Sequence, residues 1–458
     1  MYILYAPYKT FGELPSGTPL FHPDITFTGN VASTNSKYWR DFATTKGVVD
    51  ITPKTLRVIN KKRKYTNVLF LCLGGIGDIL WSTPVIAEWK KNHPHAKITV
   101  SASREYFSLF AHNPHIHNLT FLPPQYMPLI FYIFDEIFDF GGAVVGNPEE
   151  KTRHAIDLYF DKLQIPLPLK IQDRAAKIYI TDVEKALLFL FLQSKGIKPK
   201  DDPIAIVNTD SSAPIRTYPF GRSKIIAEGL ANQGFKVFLV GKNREILRKY
   251  SHICVCDFYF DMSSETEAKT IIYTCPKCGK SNFVAMQKLN DNIIPMIGTV
   301  DLRFISVLIS QADIFIGPDS GLLQIAAATS TPSVGLYGPI PARLRTKYYE
   351  KHITIEGACP QKRCFKHKPE CPISTPSPCL KDIPPEMVYN EAYKLFEKYR
   401  KDKGAKWSGL EKLLADEKLQ KLGKDFSRIF AEKALTSVVE PINLIHQRLG
   451  LTDIRTTK

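Results

Sequence analysis

The sequence predicts an α/β protein made of two parallel-sheet domains, and three observations carry that reading. Asn67 to Leu73 (NVLFLCL) is a continuous apolar run of strand length that enters the turn Gly74-Gly75-Ile76-Gly77-Asp78, a helical stretch to about Asn92 and a second strand, Lys97 to Ser103. That is one β-α-β unit, the building block of a sheet covered by helices. The pattern restarts after the polar, proline-containing segment Gly196 to Pro203. A length of 458 residues with 44% apolar content can fill two such cores, since domains run to about 150 residues.

Taken in order, residues 1–64 form a basic extension of turn residues and short β-like pieces such as ILYAPY and ITFTG, ending in Lys61-Lys62-Arg63-Lys64. Residues 65–195 form the first α/β domain and 203–390 the second. In the second domain, PIAIVNT reads as a strand, Ser223 to Gln233 as a helix and Phe235 to Gly241 as the next strand. A helix at Leu302 to Gln311, the strand ADIFIG, a helix from Gly321 to Thr329 and the strand Ser333 to Gly338 follow. Residues 253–285 interrupt this domain with the turn chemistry of a small metal-bound ribbon, and 359–379 hold a second cysteine-rich loop. Glu386 to Arg400 is helical by pattern, and 391–458 form a Lys-, Leu- and Glu-rich helical region.

The formal charge of +16 is localised: residues 1–64 carry ten Lys/Arg against four acids, and residues 338–381 carry nine against three. Concentrated positive charge implies an anionic partner, such as a nucleotide donor, an anionic glycan or DNA, and these two segments are expected to flank an open cleft. No apolar run is long enough to cross a membrane, since Tyr126 to Gly146 is broken by Asp135, Glu136 and Asp139. The start shows no secretory signal, so the expected location is the cytoplasm, at most peripheral to the inner membrane face. The sequence carries no signal of oligomeric state.

Two turns are candidates for a ligand site. In the first, Gly74, Gly75 and Gly77 let a ligand approach the backbone, and the helix that follows offers free N–H groups to an anion. Asp78, in the first turn of that helix, is either a general base facing the cleft or a helix cap. In the second, the strand ADIFIG ends at Pro318-Asp319-Ser320-Gly321, where Asp319 and Ser320 cap a helix of small residues whose N-terminus can take a diphosphate.

Together, GDILWSTPVIAEWKKNHPHAKITV and DSGLLQIAAATSTPSVGLYGPIP resemble glycosyltransferase family 9, the heptosyltransferases, over about residues 67–390. The resemblance implies the GT-B fold of two Rossmann-like domains facing a cleft. It also implies an activated nucleotide sugar, typically ADP-heptose, and inversion of the anomeric centre without a metal at the reaction site. It puts the base on Asp78, and it puts on Arg216, before Tyr218-Pro219, the cation that neutralises the diphosphate. It matches Glu245 to the donor nucleoside, and Asp319, Ser320 and Gly321 to the loop holding sugar and diphosphate. The chain departs from the family at Gln324, where histidine is usual; glutamine hydrogen-bonds but carries no charge.

Eight of the nine cysteines stand in fours. Cys254, Cys256, Cys275 and Cys278 include a CPKCG knuckle typical of zinc ribbons, so structural zinc is expected there. Cys359, Cys364, Cys371 and Cys379 resemble the cysteine finger of the heptosyltransferases that modify autotransporters, which implies zinc or iron. Cys72, inside an apolar strand, reads as an inert core residue. His93, His95, His112, His115 and His117 show no helical ligand pair, and the aromatic run Phe131 to Phe140 reads as core.

The sequence thus reads as an inverting glycosyltransferase moving a sugar, a heptose by resemblance, to a glycan or protein acceptor. Two rivals differ in class. A DNA-modifying sugar transferase would also be basic and would suit a zinc ribbon, whereas a non-catalytic binding protein that kept the fold would be expected to lose Asp78 or Arg216, and both are present.

Overall fold

A computed structural model of the chain describes residues 66–121, 134–242, 290–297, 301–359, 364, 371–373 and 377–423, with the backbone of short strands at 2–5, 25–28, 31–34, 49–50, 252–254, 259–260 and 283–285. In the basic extension, Tyr2–Tyr5, Ile25–Thr28, Val31–Thr34 and Val49–Asp50 (β1 to β4) form a small antiparallel sheet in the order β2-β3-β1-β4. The Lys61–Lys64 run and the helical region beyond residue 423 lie outside the described residues.

The first domain is built on Asn67–Leu71 (β5), Lys97–Ser101 (β6), Asn118–Thr120 (β7) and Glu136–Asp139 (β8), all parallel, in the order β7-β6-β5-β8. After Asn67, β5 is apolar because it is covered on both faces: Val68 and Phe70 enter the main core, while Leu69 and Leu71 meet Phe134 and Ile137 on the other side. Phe70 also stacks on Phe138 and Phe140, so this part of the aromatic run is core. Burial pushes the Cys72 thiol up to about 12, which keeps it protonated and unreactive.

The crossover from β5 to β6 is Ile76–Asn92 (α1), a helix that tolerates Pro84 in its interior. Proline has no N–H to give the carbonyl four residues back, and the Thr83 hydroxyl donates to that Leu80 carbonyl instead, at 2.7 Å. Ala155–Lys162 (α2) and Asp182–Ser194 (α3) complete the domain. α3 opens on a capping box in which Thr181 and Glu184 satisfy each other's backbone N–H groups.

The second domain carries a six-stranded parallel sheet of Ile204–Asn208 (β9), Lys236–Val240 (β10), Ile293–Pro295 (β14), Ile314–Pro318 (β15), Ser333–Tyr337 (β16) and His352–Glu356 (β17), ordered β14-β10-β9-β15-β16-β17. His252–Cys254, Tyr259–Phe260 and Phe283–Ala285 (β11 to β13) pair separately as an antiparallel three-stranded sheet within the insertion. Phe220–Asn232 (α4), Leu302–Gln311 (α5) and Gly321–Ala328 (α6) cover the larger sheet. Beyond β16 come Arg343–Thr346 (α7), Pro378–Lys381 (α8) and Pro385–Tyr399 (α9). α9 returns to α4 so closely that a Cβ on Gly229 would stand 2.7 Å from the Tyr389 ring.

The two domains share one apolar core, which contains Trp81 and Phe160 from the first and Leu323 and Tyr337 from the second. A buried ion pair fastens them. Arg303, at the start of α5, donates to both carboxylate oxygens of Glu184 (2.7 and 2.9 Å) and to the carbonyls of Tyr179 and Ser108. All of that guanidinium's partners lie in the first domain.

Candidate functional site

In open parallel sheets a ligand crevice forms outside the carboxyl ends of the strands, where the chain turns from one side of the sheet to the other. In the second domain that point falls between β9 and β15, and in the first between β5 and β8. Asp78 follows β5 and Asp319 follows β15, so topology alone brings both sequence-predicted turns to the crevice.

The first turn needs glycine at Gly74, which has φ of +134°, and a Cβ there would fall 2.6 Å from the Asp78 carboxylate. Asp78 Oδ2 accepts the Gly75 N–H at 3.0 Å and so caps α1. Its other oxygen, Oδ1, accepts a hydrogen bond from the Tyr159 hydroxyl at 3.2 Å. Burial and then the negative charge of Asp78 hold the Tyr159 phenol well above its ordinary range, so Tyr159 remains the donor in this pair. Asp78 therefore caps the helix with one oxygen and meets Tyr159 with the other.

In the second turn, Ser320 caps α6 by accepting the Leu323 N–H, and its hydroxyl also receives Asn208 Nδ2 at 2.9 Å from the end of β9. Asp319 is buried and receives Arg216 Nη1 at 3.4 Å, while the Arg216 Nη2 donates to Ser212 at 2.7 Å. Arg216 Nε is buried and has no hydrogen-bond partner among the described residues.

The N-termini of α1 and α6 meet across the crevice. A Cβ on Gly321 would stand 2.7 Å from Ile76, and Gly77 faces Trp81 and Gln324. Gln324, the departure from the family pattern, has a definite task. Its Oε1 accepts the Trp81 indole N–H at 3.0 Å from the first domain and the Tyr349 hydroxyl from the second. A carbonyl oxygen can take two donors, whereas a neutral imidazole has one acceptor nitrogen.

Tyr159, Trp81, Tyr349 and Arg345 also belong to this site, although sequence reasoning did not single them out. Arg345 lies 5.1 Å over the Trp81 ring, and it is buried, whereas the charge map had placed its segment along an open rim. Glu245 lies outside the described residues.

Of the cysteines, Cys256, Cys275, Cys278 and the side chain of Cys254 lie outside the described residues. In the second set Cys379 is buried, and its thiol is pushed up to about 11 by burial first and then by Cys359, Cys371 and Cys364 around it. No three His, Cys, Asp or Glu side chains among the described residues, which include these four cysteines, stand in a metal-holding arrangement.

A doubly wound pair of α/β domains with paired helix N-termini in the crevice between them is the GT-B architecture. Residues 282–373 match the family model of glycosyltransferase family 9 (heptosyltransferase). Among solved structures, the fold is similar to the E. coli ADP-heptose LPS heptosyltransferase II, with 16% identity and a TM-score of 0.52 over 73% of this chain and 100% of that one. It is equally similar to a family 9 glycosyltransferase from Veillonella parvula DSM 2008, with 17% identity and a TM-score of 0.52 over 74% and 99%. No curated protein matches the chain. Among the described residues, no helix is long and apolar enough to cross a membrane.

Proposed function

We propose that this chain is an inverting glycosyltransferase that uses an ADP-heptose-like nucleotide sugar and glycosylates a hydroxyl group of an anionic glycan or protein. The observation that carries the reading is the meeting of two dissimilar carboxylates at one seam. Asp78 is held only by neutral donors, whereas Asp319 is engaged by a guanidinium beside a helix N-terminus.

In this reading the acceptor hydroxyl gives its proton to Asp78 as its oxygen bonds to the anomeric carbon. The bond from that carbon to the diphosphate breaks on the opposite face, and the electron pair leaves with the nucleoside diphosphate. Arg216 and the free N–H groups of α6 receive the growing negative charge, and the unpartnered Arg216 Nε supports that role. The same reading gives Gly74, Gly75 and Gly77 the close backbone approach of the acceptor, and Glu245 the nucleoside.

Cys359, Cys364, Cys371 and Cys379 would hold one zinc or iron ion. The contribution of Cys359, Cys371 and Cys364 to the raised Cys379 thiol supports this, because such a thiol becomes a good ligand once a cation neutralises it. The ion would pin the 359–379 loop against Gly338 and Gly357, which already touch Cys379. The Cys254 set would hold zinc in the inserted ribbon.

A panel of nucleotide sugars scored by thermal shift tests the donor. ADP-heptose should raise the melting temperature more than UDP- or GDP-sugars do, since selective binding stabilises the folded state. No shift with any nucleotide sugar would refute the reading.

A further inference from the structure

Arg345 is 5% exposed and sits where α7 leaves the carboxyl end of β16, against the N-terminal half of α1. Its guanidinium has five donors, yet its one hydrogen bond is Nη1 to the neighbouring Leu344 carbonyl at 3.3 Å. No carboxylate pairs with it among the described residues. Its guanidinium also lies over the Trp81 face, at 5.1 Å. Its charge is felt by Tyr159 on one side and by Tyr337 and Tyr349 on the other, and both of the latter also sense Asp319. Tyr337 has a fully buried hydroxyl with no hydrogen-bond partner among the described residues.

A buried cation without a counter-charge is costly, and one stacked aromatic ring offsets only part of that cost. The other buried arginine at the domain interface, Arg303, shows what a purely structural guanidinium looks like here: two carboxylate oxygens and two carbonyls satisfy it. Arg345 and the Tyr337 hydroxyl are instead left with unused donors, beside tyrosines that sense Asp78 on one side and Asp319 on the other.

We propose that Arg345, with the Tyr337 hydroxyl, is an oxyanion-binding subsite of the cleft, which takes a phosphate or carboxylate group of a bound substrate. The inference deepens the glycosyltransferase reading and rests on it for the identity of the substrate. Two sources present this chemistry there, the diphosphate of the donor and an acidic group on a sugar acceptor. In the first case Arg345 supplies, from α7, the positive charge that Gln324 does not carry.

The test compares wild type with Arg345→Met, which keeps length and packing, and Arg345→Lys, which keeps the charge. Calorimetry uses inorganic pyrophosphate, ADP and adenosine as probes, and saturation-transfer NMR uses glucuronate against glucose. The expected result is that Arg345→Met weakens pyrophosphate and ADP about ten- to a hundredfold, as for a lost charge-assisted hydrogen bond, and leaves adenosine unchanged. Arg345→Lys should fall between. The ligand-free melting temperature should not drop, because the variant removes an uncompensated charge.

Loss of glucuronate binding with pyrophosphate unchanged would also support the subsite and assign it to the acceptor. Unchanged binding of both anions by Arg345→Met overturns the proposal, and a lowered melting temperature alongside would make Arg345 an interdomain latch. If wild type binds pyrophosphate through Arg345 but not ADP, the subsite stands and the nucleotide-sugar reading fails. If wild type binds ADP and Arg345→Met binds it equally, with glucuronate also unaffected, only the subsite fails.

Discussion

The two turns that face one another across the cleft, Gly74–Asp78 and Pro318–Gly321, are built alike and finished differently. Each ends a buried parallel strand, each leads into a helix N-terminus and each presents an aspartate. Asp78 is half-buried and accepts from a backbone N–H and a phenol, whereas Asp319 is buried and accepts from Arg216. Neutral donors orient a carboxylate without cancelling its charge, while a guanidinium cancels it. In the proposed reading one backbone device thus yields a site for taking a proton and a site for holding a diphosphate, and the choice is made by partners distant in sequence.

The largest effect that would break this comparison comes from Asp78→Asn. The amide oxygen can still cap α1, but it cannot accept a proton, so kcat should fall about 10²- to 10⁴-fold while ADP affinity stays within about twofold. Steady-state kinetics with calorimetry checks both. Transfer at the normal rate would reduce Asp78 to its capping role and make the two turns equivalent.

Among the described residues, each domain also holds a histidine with a buried ring nitrogen, and the pair sharpens the comparison through pH. His154 caps α2 in the first domain and His352 meets Ser333 in the second; burial lowers both to about 4. Their folded proton affinity lies below the unfolded value of 6.5, so the unfolded chain binds more protons between those limits. Stability should therefore be full above pH 6.5 and fall as the pH drops from there towards 4, by up to about 3 kcal/mol per histidine. Urea midpoints measured across that range for wild type, His154→Gln and His352→Gln should show a shallower pH slope in each variant. An unchanged slope in either would exclude that histidine.

Much of the fold was legible because local signals sufficed. Apolar runs marked β5, β9, β10, β15 and β16, and the glycine or capping residues beside them marked α1, α5 and α6 within a residue or two. Strands β14 and β17 are short edge strands with polar or proline residues, and they carried no such signal. At the site, Asp78 and the Asp319 loop stand out because each lies in a turn with its own local chemistry, whereas Arg216 is marked only by the family resemblance. Tyr159 does not stand out, because its partner is 81 positions away and only the loop after β8 brings them together. Arg345 falls in a basic segment expected to flank the cleft, and its burial was not legible because sequence gives the sign of a charge but not its depth. Gln324 was noticed as a departure from the family, but its role needed the Trp81 and Tyr349 contacts.

Arg216→Ala probes the second turn. Its loss frees Asp319 from its cation and removes a donor aimed at the diphosphate, so ADP affinity and kcat should both fall, each about ten- to a hundredfold. Calorimetric titration with ADP checks the first and initial rates the second. If ADP affinity is unchanged, Arg216 serves Asp319 alone, and the division of labour between the two turns is wrong.

The smallest effect concerns the phenol that distinguishes Asp78 from a simple cap. Tyr159→Phe keeps the ring that stacks on Phe140 at 4.8 Å and meets the Trp81 edge at 6.4 Å, and it removes only the hydroxyl. One hydrogen bond of that kind contributes about 1 kcal/mol, so kcat should fall only a few-fold if the bond aims the carboxylate. Because Tyr159 touches Asp78 and not the donor loop, the donor KM should stay constant. A fall in kcat with the donor KM held is the readout that a packing role would not give, since loosened packing beside Trp81 would disturb the donor side as well. An unchanged kcat would show that the hydroxyl only fills space beside Asp78, and that the first turn works as the second would without its arginine.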